Sequence, residues 1–135
     1  MIKILSAVIL VTLALAGCGQ REPVIVANGK SVSIGLIGPL QGSEALQGRE
    51  GLAGFRHYIL QQGLLDDGTR VELLELHAPD VPVVVTAGVK QLASREDMLA
   101  LVSFNNSDTV LASKALIDKL AIPFIAAVAS HPDSV

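Results

Sequence analysis

The sequence is poor in cysteine and in aromatic residues. It has one cysteine, no tryptophan, one tyrosine and three phenylalanines among 135 residues. A lone cysteine cannot form an internal disulfide, and so few rings leave no aromatic platform on which nucleic-acid bases or sugars could stack. Ten lysines and arginines stand against thirteen aspartates and glutamates, a net charge of −3. This acidic balance argues against a nucleic-acid partner, which requires clustered cations.

The longest apolar run lies near the amino terminus, at residues 4–15. It is shorter than the roughly 20 residues of a membrane-spanning helix. It follows the positive Lys3 and precedes small residues, which is typical of a secretory signal. The segment ends in Leu-Ala-Gly-Cys, which resembles a bacterial lipobox and predicts lipidation of Cys18 after removal of residues 1–17. The alternatives are an ordinary cleaved signal and a retained membrane anchor.

This signal predicts the organisation and the location of the rest of the chain. Residues 18–29 are expected to form a lipidated tether, and residues 30–135 a single domain. No second apolar run reaches spanning length. We therefore expect an extracytoplasmic domain in the cell envelope, held to a membrane through its lipid and facing the periplasm or the cell exterior.

The mature part alternates short apolar runs with helical periodicity. Four strands are predicted, over residues 31–37, 70–77, 99–104 and 122–127. Three helices are predicted between them, over residues 43–62, over 81–92 with Asp80 as its cap, and from Ser107 or Asp108 to residue 120. The order β-α-β-α-β-α-β predicts an α/β fold, with a parallel sheet in the strand order 2-1-3-4 and helices on both faces.

The same patterns predict which residues are buried. The most buried strand residues are expected to be Ile34, Leu36, Leu101 and Val102. The third helix is expected to bury Leu111, Ala112, Ala115 and Leu116. In the first helix, Gly48, Gly51 and Gly54 recur every three residues, which predicts close packing on the sheet or beside a ligand.

Ligand sites in open parallel sheets lie at the carboxyl ends of the strands. Polar segments follow the first, third and fourth predicted strands, at residues 38–43, 105–109 and 129–131. Gly38, Asn106 and Ser130 should therefore lie at one edge. Two of the segments run into helix amino termini, which favour a carboxylate or phosphate. The alternative is that Ser107 only caps its helix and that residues 105–106 only turn the chain.

Motifs for catalysis are largely missing from the sequence. It has no GxGxxG fingerprint, no phosphate loop, no HExxH and no GxSxG elbow. His57, His77 and His131 do not have the spacing of metal ligands. We therefore expect neither an enzyme nor a cofactor.

Several segments together resemble a known family. They are SVSIGLIGPLQGSEALQGREGLAGFRHYI, RVELLEL and ALVSFNNSDTVLASKALIDKLAIPFIAAVASHPD. Their order is similar to the opening of type I periplasmic binding proteins, in the leucine/isoleucine/valine and amide-binding group. The resemblance implies a Rossmann-like first lobe, incomplete, over residues 30–135. It also implies binding of an amino acid, an amide or a related small carboxylate for an ABC transporter permease.

The resemblance also implies a set of binding residues: Gln47, Asn106, Ser107, Val128 and Ser130. Asn106 stands where the family usually has a serine, and its amide can still donate to a carboxylate. Gln47 stands where branched-chain binders often have an aromatic residue, which puts an aliphatic amino acid ligand in doubt.

Family members are longer and have two lobes, so we expect this chain to be a fragment or the product of a truncated gene. The alternative is a half-domain with another task, such as an envelope lipoprotein that uses the lobe for sensing or protein contacts.

Overall fold

The computed structural model describes residues 25–42 and 45–134. Cys18 and the predicted signal lie outside the described residues, as does Ser43, the predicted start of the first helix. The elements are β1 (Ser31–Gly38), α1 (Ala45–Gln62), β2 (Arg70–His77), α2 (Pro82–Ala93), β3 (Met98–Ser103), α3 (Ser107–Ile117), β4 (Phe124–Ala126) and a short 3₁₀ helix (Pro132–Ser134). Within these ranges no helix has the length and apolarity needed to cross a membrane.

The four strands form one parallel sheet in the order β2-β1-β3-β4, which confirms the predicted topology. Central β1 is paired along its whole length with β2, so that Ser31 lies opposite Arg70 and Gly38 opposite His77. Its pairing with β3 is interrupted by one irregularity next to Ser33. The carboxyl ends of all four strands consequently lie at the same edge of the sheet, which we call the carboxyl edge.

Each face of the sheet carries its own hydrophobic cluster. One cluster lies under α2 and α3 and contains Ile37, Ala78, Val85, Val89, Leu92, Met98 and Leu101. The other lies under α1 and contains Leu36, Leu52, Val102 and Phe104. Leu36, Leu101 and Val102 are buried as predicted. The prediction for Ile34 is wrong, because α1 buries only residues of its first half and covers Ile34, nearer the amino end of β1, incompletely.

Two of the three predicted close-packing glycines lie against the rest of the fold. A Cβ at Gly48 would approach the carbonyl oxygen of Pro39 to 2.7 Å, and one at Gly51 would overlap the ring of Phe104. Gly54 has open space where its side chain would be, so the prediction is wrong for that residue. Glycine therefore lets the first half of α1 approach the sheet, where helix and sheet must pack closely.

The buried face of α3 differs from the predicted one. The buried residues of the helix are Thr109, Val110 and Ser113, whereas Ala112 and Ala115 are exposed. Leu111 and Leu116 are half-buried. The reason is a polar contact, because the Ser113 hydroxyl lies 2.9 Å from the Thr86 hydroxyl of α2. Small hydroxyl side chains that satisfy each other allow the two helices to pack along this face.

The remaining differences have local causes. The amino cap of α2 is Val81, whose side chain makes no capping bond, so the prediction that Asp80 caps this helix is wrong. Strand β4 is shorter than predicted because Pro123 has no N–H to donate, although its carbonyl oxygen accepts from the Leu101 N–H at 3.0 Å. Helix α3 ends at Ile117, three residues before the predicted end.

Candidate ligand-binding site

A cleft of about 340 Å³ opens at the carboxyl edge of the sheet. Its lining residues come from the segments after β1, β2, β3 and β4 and from the first turn of α1: Pro39, Leu46, Gln47, Asp80, Phe104, Asn106 and Val128. Three of the five predicted binding residues, Gln47, Asn106 and Val128, therefore line the same cleft although they lie far apart in sequence. Gly38, Asn106 and Ser130 all follow or end strands at this edge, as predicted.

The cleft wall is built around the buried side chain of Asn105. Its Nδ2 donates to the carbonyl oxygen of Ala78 at 3.0 Å and to Oδ1 of Asp80 at 2.9 Å. Its Oδ1 accepts from the Ser103 hydroxyl at 3.2 Å. The same Oδ1 of Asp80 accepts from the backbone N–H of Asn106 at 3.0 Å. These bonds join the exits of β2 and β3 across β1 and hold the Asp80 carboxylate in the cleft.

Glycine at the end of β1 allows these two exits to approach each other. A Cβ at Gly38 would lie 2.9 Å from the Cβ of Phe104, which is tighter than a real contact. Without a side chain at that position, the Phe104 N–H bonds the Ile37 carbonyl oxygen at 2.8 Å and the Ala78 N–H bonds the Gly38 carbonyl oxygen at 2.8 Å. The cleft residues after β2 and β3 thus meet directly over the end of the central strand.

Asn106 has a structural role at the amino terminus of α3. Its Oδ1 accepts from the backbone N–H of Thr109 at 3.0 Å, the standard geometry of an amino-terminal cap. Capping therefore falls to Asn106 and not to Ser107. The cap bond uses the amide oxygen of Asn106, so the Nδ2 N–H groups of the same side chain can donate to a ligand in the cleft. The helix amino terminus places partial positive charge beside them.

Ser107 joins the first turn of α3 to the segment after β4. Its Oγ accepts from the backbone N–H of Ser130 at 3.0 Å and of His131 at 3.2 Å. Ser107 and Ser130 are therefore next to each other, but neither is among the residues that line the cleft. Since Ser107 accepts both bonds, its own hydroxyl proton remains available for donation.

The cleft combines one charged group with neutral donors and apolar walls. Asp80 supplies an acceptor, and the amides of Gln47 and Asn106 supply donors. Leu46 and Phe104 are among the apolar lining residues. A concave site with a few polar groups among apolar ones suits a small molecule that has an apolar body and polar ends.

Two residues that shape this cleft were missed by sequence reasoning. The sequence pattern predicts Asp80 as a helix cap, and it indicates Asn105 only as part of a polar segment or turn. Their positions in the sequence could have indicated the cleft. Asp80 and Asn105 follow the two strands that flank β1 in the predicted order, so their side chains could meet at the carboxyl edge.

Other polar features lie outside the cleft. Within residues 25–42 and 45–134, no group of three or more His, Cys, Asp and Glu side chains is arranged to hold a metal ion. At the amino end of the sheet, Arg95 donates to both carboxylate oxygens of Asp97, and the Ser33 hydroxyl donates at 2.6 Å. These bonds lower the pKa of Asp97 to about 2.

Comparison with known proteins gives structural matches only. No protein-family model matches the chain, and no curated protein matches it. One similar structure is the solute binding protein of an ABC transporter from Rhodopseudomonas palustris BisB5, in complex with 3,4-dihydroxybenzoic acid. The TM-score is 0.69 at 20% identity, and the match covers 77% of this chain and 29% of that one.

Two further matches are amino acid binding proteins. The branched-chain amino acid transporter substrate binding protein LivJ from Streptococcus pneumoniae, in complex with isoleucine, matches with a TM-score of 0.68 at 21% identity, covering 78% of this chain and 31% of that one. The leucine binding protein LivK from Thermotoga maritima matches with a TM-score of 0.66 at 20% identity, covering 76% and 29%.

These matches define the class of fold. The described residues form the fold of one lobe of a type I periplasmic binding protein, with its four-stranded parallel sheet and three α-helices. The structures it resembles are binding proteins for small solutes, one of them described as belonging to an ABC transporter. The chain spans less than a third of the length of each.

Proposed function

We propose that this chain is the ligand-contacting first lobe of a noncatalytic, extracytoplasmic solute-binding lipoprotein that serves an ABC-type importer and its permease. One observation carries the proposal: Gln47, Asn106 and Val128, from three separate elements, converge on one cleft at the carboxyl edge of a sheet with this lobe's topology. The solute-binding role of the structures that share the fold supports it.

The chemistry of the cleft favours an amino acid, an amide or a related small carboxylate as ligand. The amide of Asn106 and the amino terminus of α3 offer donors and positive potential for a carboxylate. Asp80 offers an acceptor for an ammonium or hydroxyl group, and Leu46 and Phe104 offer apolar surface. Isoleucine and 3,4-dihydroxybenzoic acid, bound by two of the similar proteins, both combine a carboxylate with an apolar body.

One lobe alone is expected to bind such a ligand weakly. Its cleft is open to water, and charge-assisted hydrogen bonds contribute about 1.5–3 kcal/mol each only when they are desolvated. A second lobe that closes over the ligand would supply this burial. We therefore expect binding by the short chain to be too weak for titration calorimetry to detect, and clear binding by a two-lobed protein that contains this lobe.

The test is calorimetry on such a two-lobed protein with a matched pair of variants. Asn106→Asp keeps an oxygen that caps α3 but places an anion beside the ligand carboxylate, so binding should be lost with little change in Tm. Ser130→Ala should weaken binding and leave Tm nearly unchanged, because the bond from residue 130 to Ser107 uses the backbone N–H.

Asn106→Ala is the control that loses both the cap and the donor, so it should lower Tm as well as affinity. Full affinity in Asn106→Asp would show that the carboxylate is not bound at this helix terminus. If the two-lobed protein binds no small molecule, the result would favour the alternative of an envelope lipoprotein that uses the lobe for sensing or protein contacts.

The proposed anchor is tested separately. Acylation at Cys18 predicts that Cys18→Ser, expressed with its signal, moves from the membrane fraction to the soluble fraction. Three acyl chains bury enough methylene groups, at about 0.8 kcal/mol each, for stable anchoring. Membrane retention of Cys18→Ser, together with an unmodified mass for the parent chain, would contradict lipidation.

A further inference from the structure

Large apolar side chains are exposed at the end of the lobe opposite the cleft. This end, which we call the amino pole, comprises residues 25–30, the end of α1 from Tyr58 to Gln62, and residues 63–70. Its exposed apolar residues include Leu60, Val26 and Tyr58, with 83%, 75% and 60% of their surface accessible, and also Ile25 and Leu65. Monomeric proteins rarely leave such a patch uncovered without an interaction that uses it.

A groove of about 440 Å³ lies at the same pole, and Tyr58 and Leu65 of the exposed apolar residues line it. Its apolar lining is Tyr58, Ile59, Leu64, Leu65 and Val71, and its polar lining includes the carboxylates of Asp66 and Asp67. The groove lies at the amino end of β2, whereas the candidate ligand cleft lies beyond the carboxyl ends of the strands. The two concave surfaces are therefore separated by the length of the sheet.

The chain enters the lobe at this pole and is held there. The Asn28 N–H donates to the carbonyl oxygen of Gly68 at 3.0 Å. The Asn28 side chain donates to the carbonyl oxygen of Asp67 at 3.0 Å and to the hydroxyl of Thr69 at 3.2 Å. The carbonyl of Val26 lies against Gly68, where a Cβ would collide with it. Ile25 and Val26 are thereby fixed beside the turn that lines the groove.

We propose that the amino pole rests on the membrane surface and that the cleft faces away from it. This inference rests on the proposed lipidation of Cys18. Six residues separate Cys18 from Ile25, and even fully extended the seven Cα-to-Cα steps between the two span only about 25 Å. An eight-residue strand is itself roughly 26 Å long. The tether therefore keeps the amino pole close to the bilayer, while bringing the cleft to the membrane would require full extension along the side of the lobe.

The chemistry of the pole suits the interface of a bilayer with zwitterionic headgroups. Tyrosine prefers the boundary between headgroups and acyl chains, and leucine and valine bury apolar surface there. The pole carries both signs of charge, since Asp66 and Asp67 stand against Lys30 and Arg70. It thus offers no excess of positive charge that would select an anionic surface.

The proposed orientation can be tested by fluorescence, because the sequence has no tryptophan and an introduced one is the single reporter. A single tryptophan is introduced at Leu60, on the amino pole, or at Val83, which is 72% exposed just after the carboxyl end of β2. Each full-length variant is expressed with its signal, and its mass shows whether Cys18 is acylated. An acylated protein is reconstituted into phosphatidylcholine vesicles, and an unacylated one is coupled to a maleimide-bearing lipid through Cys18, its only cysteine. Fluorescence is then compared with and without brominated phosphatidylcholine.

Brominated lipid should quench the tryptophan of Leu60→Trp at least two-fold and leave that of Val83→Trp nearly unchanged. A third reporter is Tyr58→Trp. Adding Leu60→Asp to that chain should reduce the quenching of its tryptophan relative to Tyr58→Trp alone. Equal quenching at the two positions, stronger quenching at Val83→Trp, or none at either would overturn the proposed orientation. Failure of acylation alone would contradict the lipoprotein proposal but not the orientation, since the coupled protein still reports on it.

Discussion

Replacing the buried Asn105 with alanine should lower the free energy of unfolding by about 2–4 kcal/mol. The side chain is fully buried and donates to the carbonyl oxygen of Ala78 at 3.0 Å and to the Asp80 carboxylate at 2.9 Å. A hydrogen bond to a neutral acceptor contributes about 1 kcal/mol, and one to a charged acceptor about 1.5–3 kcal/mol. Asp80 is half-buried, which places its bond near the lower end of that range.

Urea unfolding followed by circular dichroism measures this loss. The midpoint should fall while the m-value stays the same, because the surface exposed on unfolding does not change. Asn106→Ala is the matched control at the next residue, since it removes only an exposed helix cap and should cost about 1 kcal/mol. A loss for Asn105→Ala no larger than that of Asn106→Ala would refute the reasoning that the buried amide joins the two strand exits.

Three further predictions concern packing, pH and the segment after β4. Gly51→Ala should cost about 1–3 kcal/mol because its Cβ would overlap the Phe104 ring, whereas Gly54→Ala should stabilise by roughly 0.5–1 kcal/mol in thermal or urea unfolding. Because the pKa of Asp97 is lowered to about 2 in the folded state, its contribution to stability is complete above about pH 4 and is lost as the pH falls toward 2. An Asp97→Asn chain should therefore show a flatter acid-unfolding curve, and an unchanged curve would contradict this. Ser107→Ala should speed hydrogen exchange of the two backbone amides that bond its hydroxyl, and unchanged protection would show that these bonds do not form in solution.

The strand order could be predicted because it depends on local pattern and chain connectivity. Alternating apolar runs and helical periodicity give the element order, and right-handed crossovers then restrict the topology. Burial was predictable where a strand is covered on both faces, as at Leu36 and Leu101. The prediction of the buried face of α3 is wrong. Hydroxyl side chains that bond each other across a helix interface, such as Ser113 with Thr86, cannot be distinguished from solvent-facing ones in a sequence.

The location of the site could be predicted, because it depends on where the parallel strands end. The strand pattern predicts Gly38, Asn106 and Ser130 at one edge because parallel strands end together, whereas Val128 was indicated only by the family resemblance. It did not indicate Asp80 as a cleft residue, since the bonds that hold its carboxylate come from residues 25 and 26 positions away. Such bonds between loops depend on three-dimensional approach, here over Gly38, and leave no periodic signal.

The central claim is that the carboxyl-edge cleft is the ligand site. It is tested most directly by following the side-chain amide NMR signals of Gln47 and Asn106 in the nitrogen-15-labelled chain during titration with 3,4-dihydroxybenzoate or isoleucine. The account predicts that both amides shift at ligand concentrations of tens of millimolar, with the backbone signals of Asp80 and Val128, while those of the groove beside Tyr58 stay fixed. Shifts confined to that groove, or none at either place, would contradict the claim.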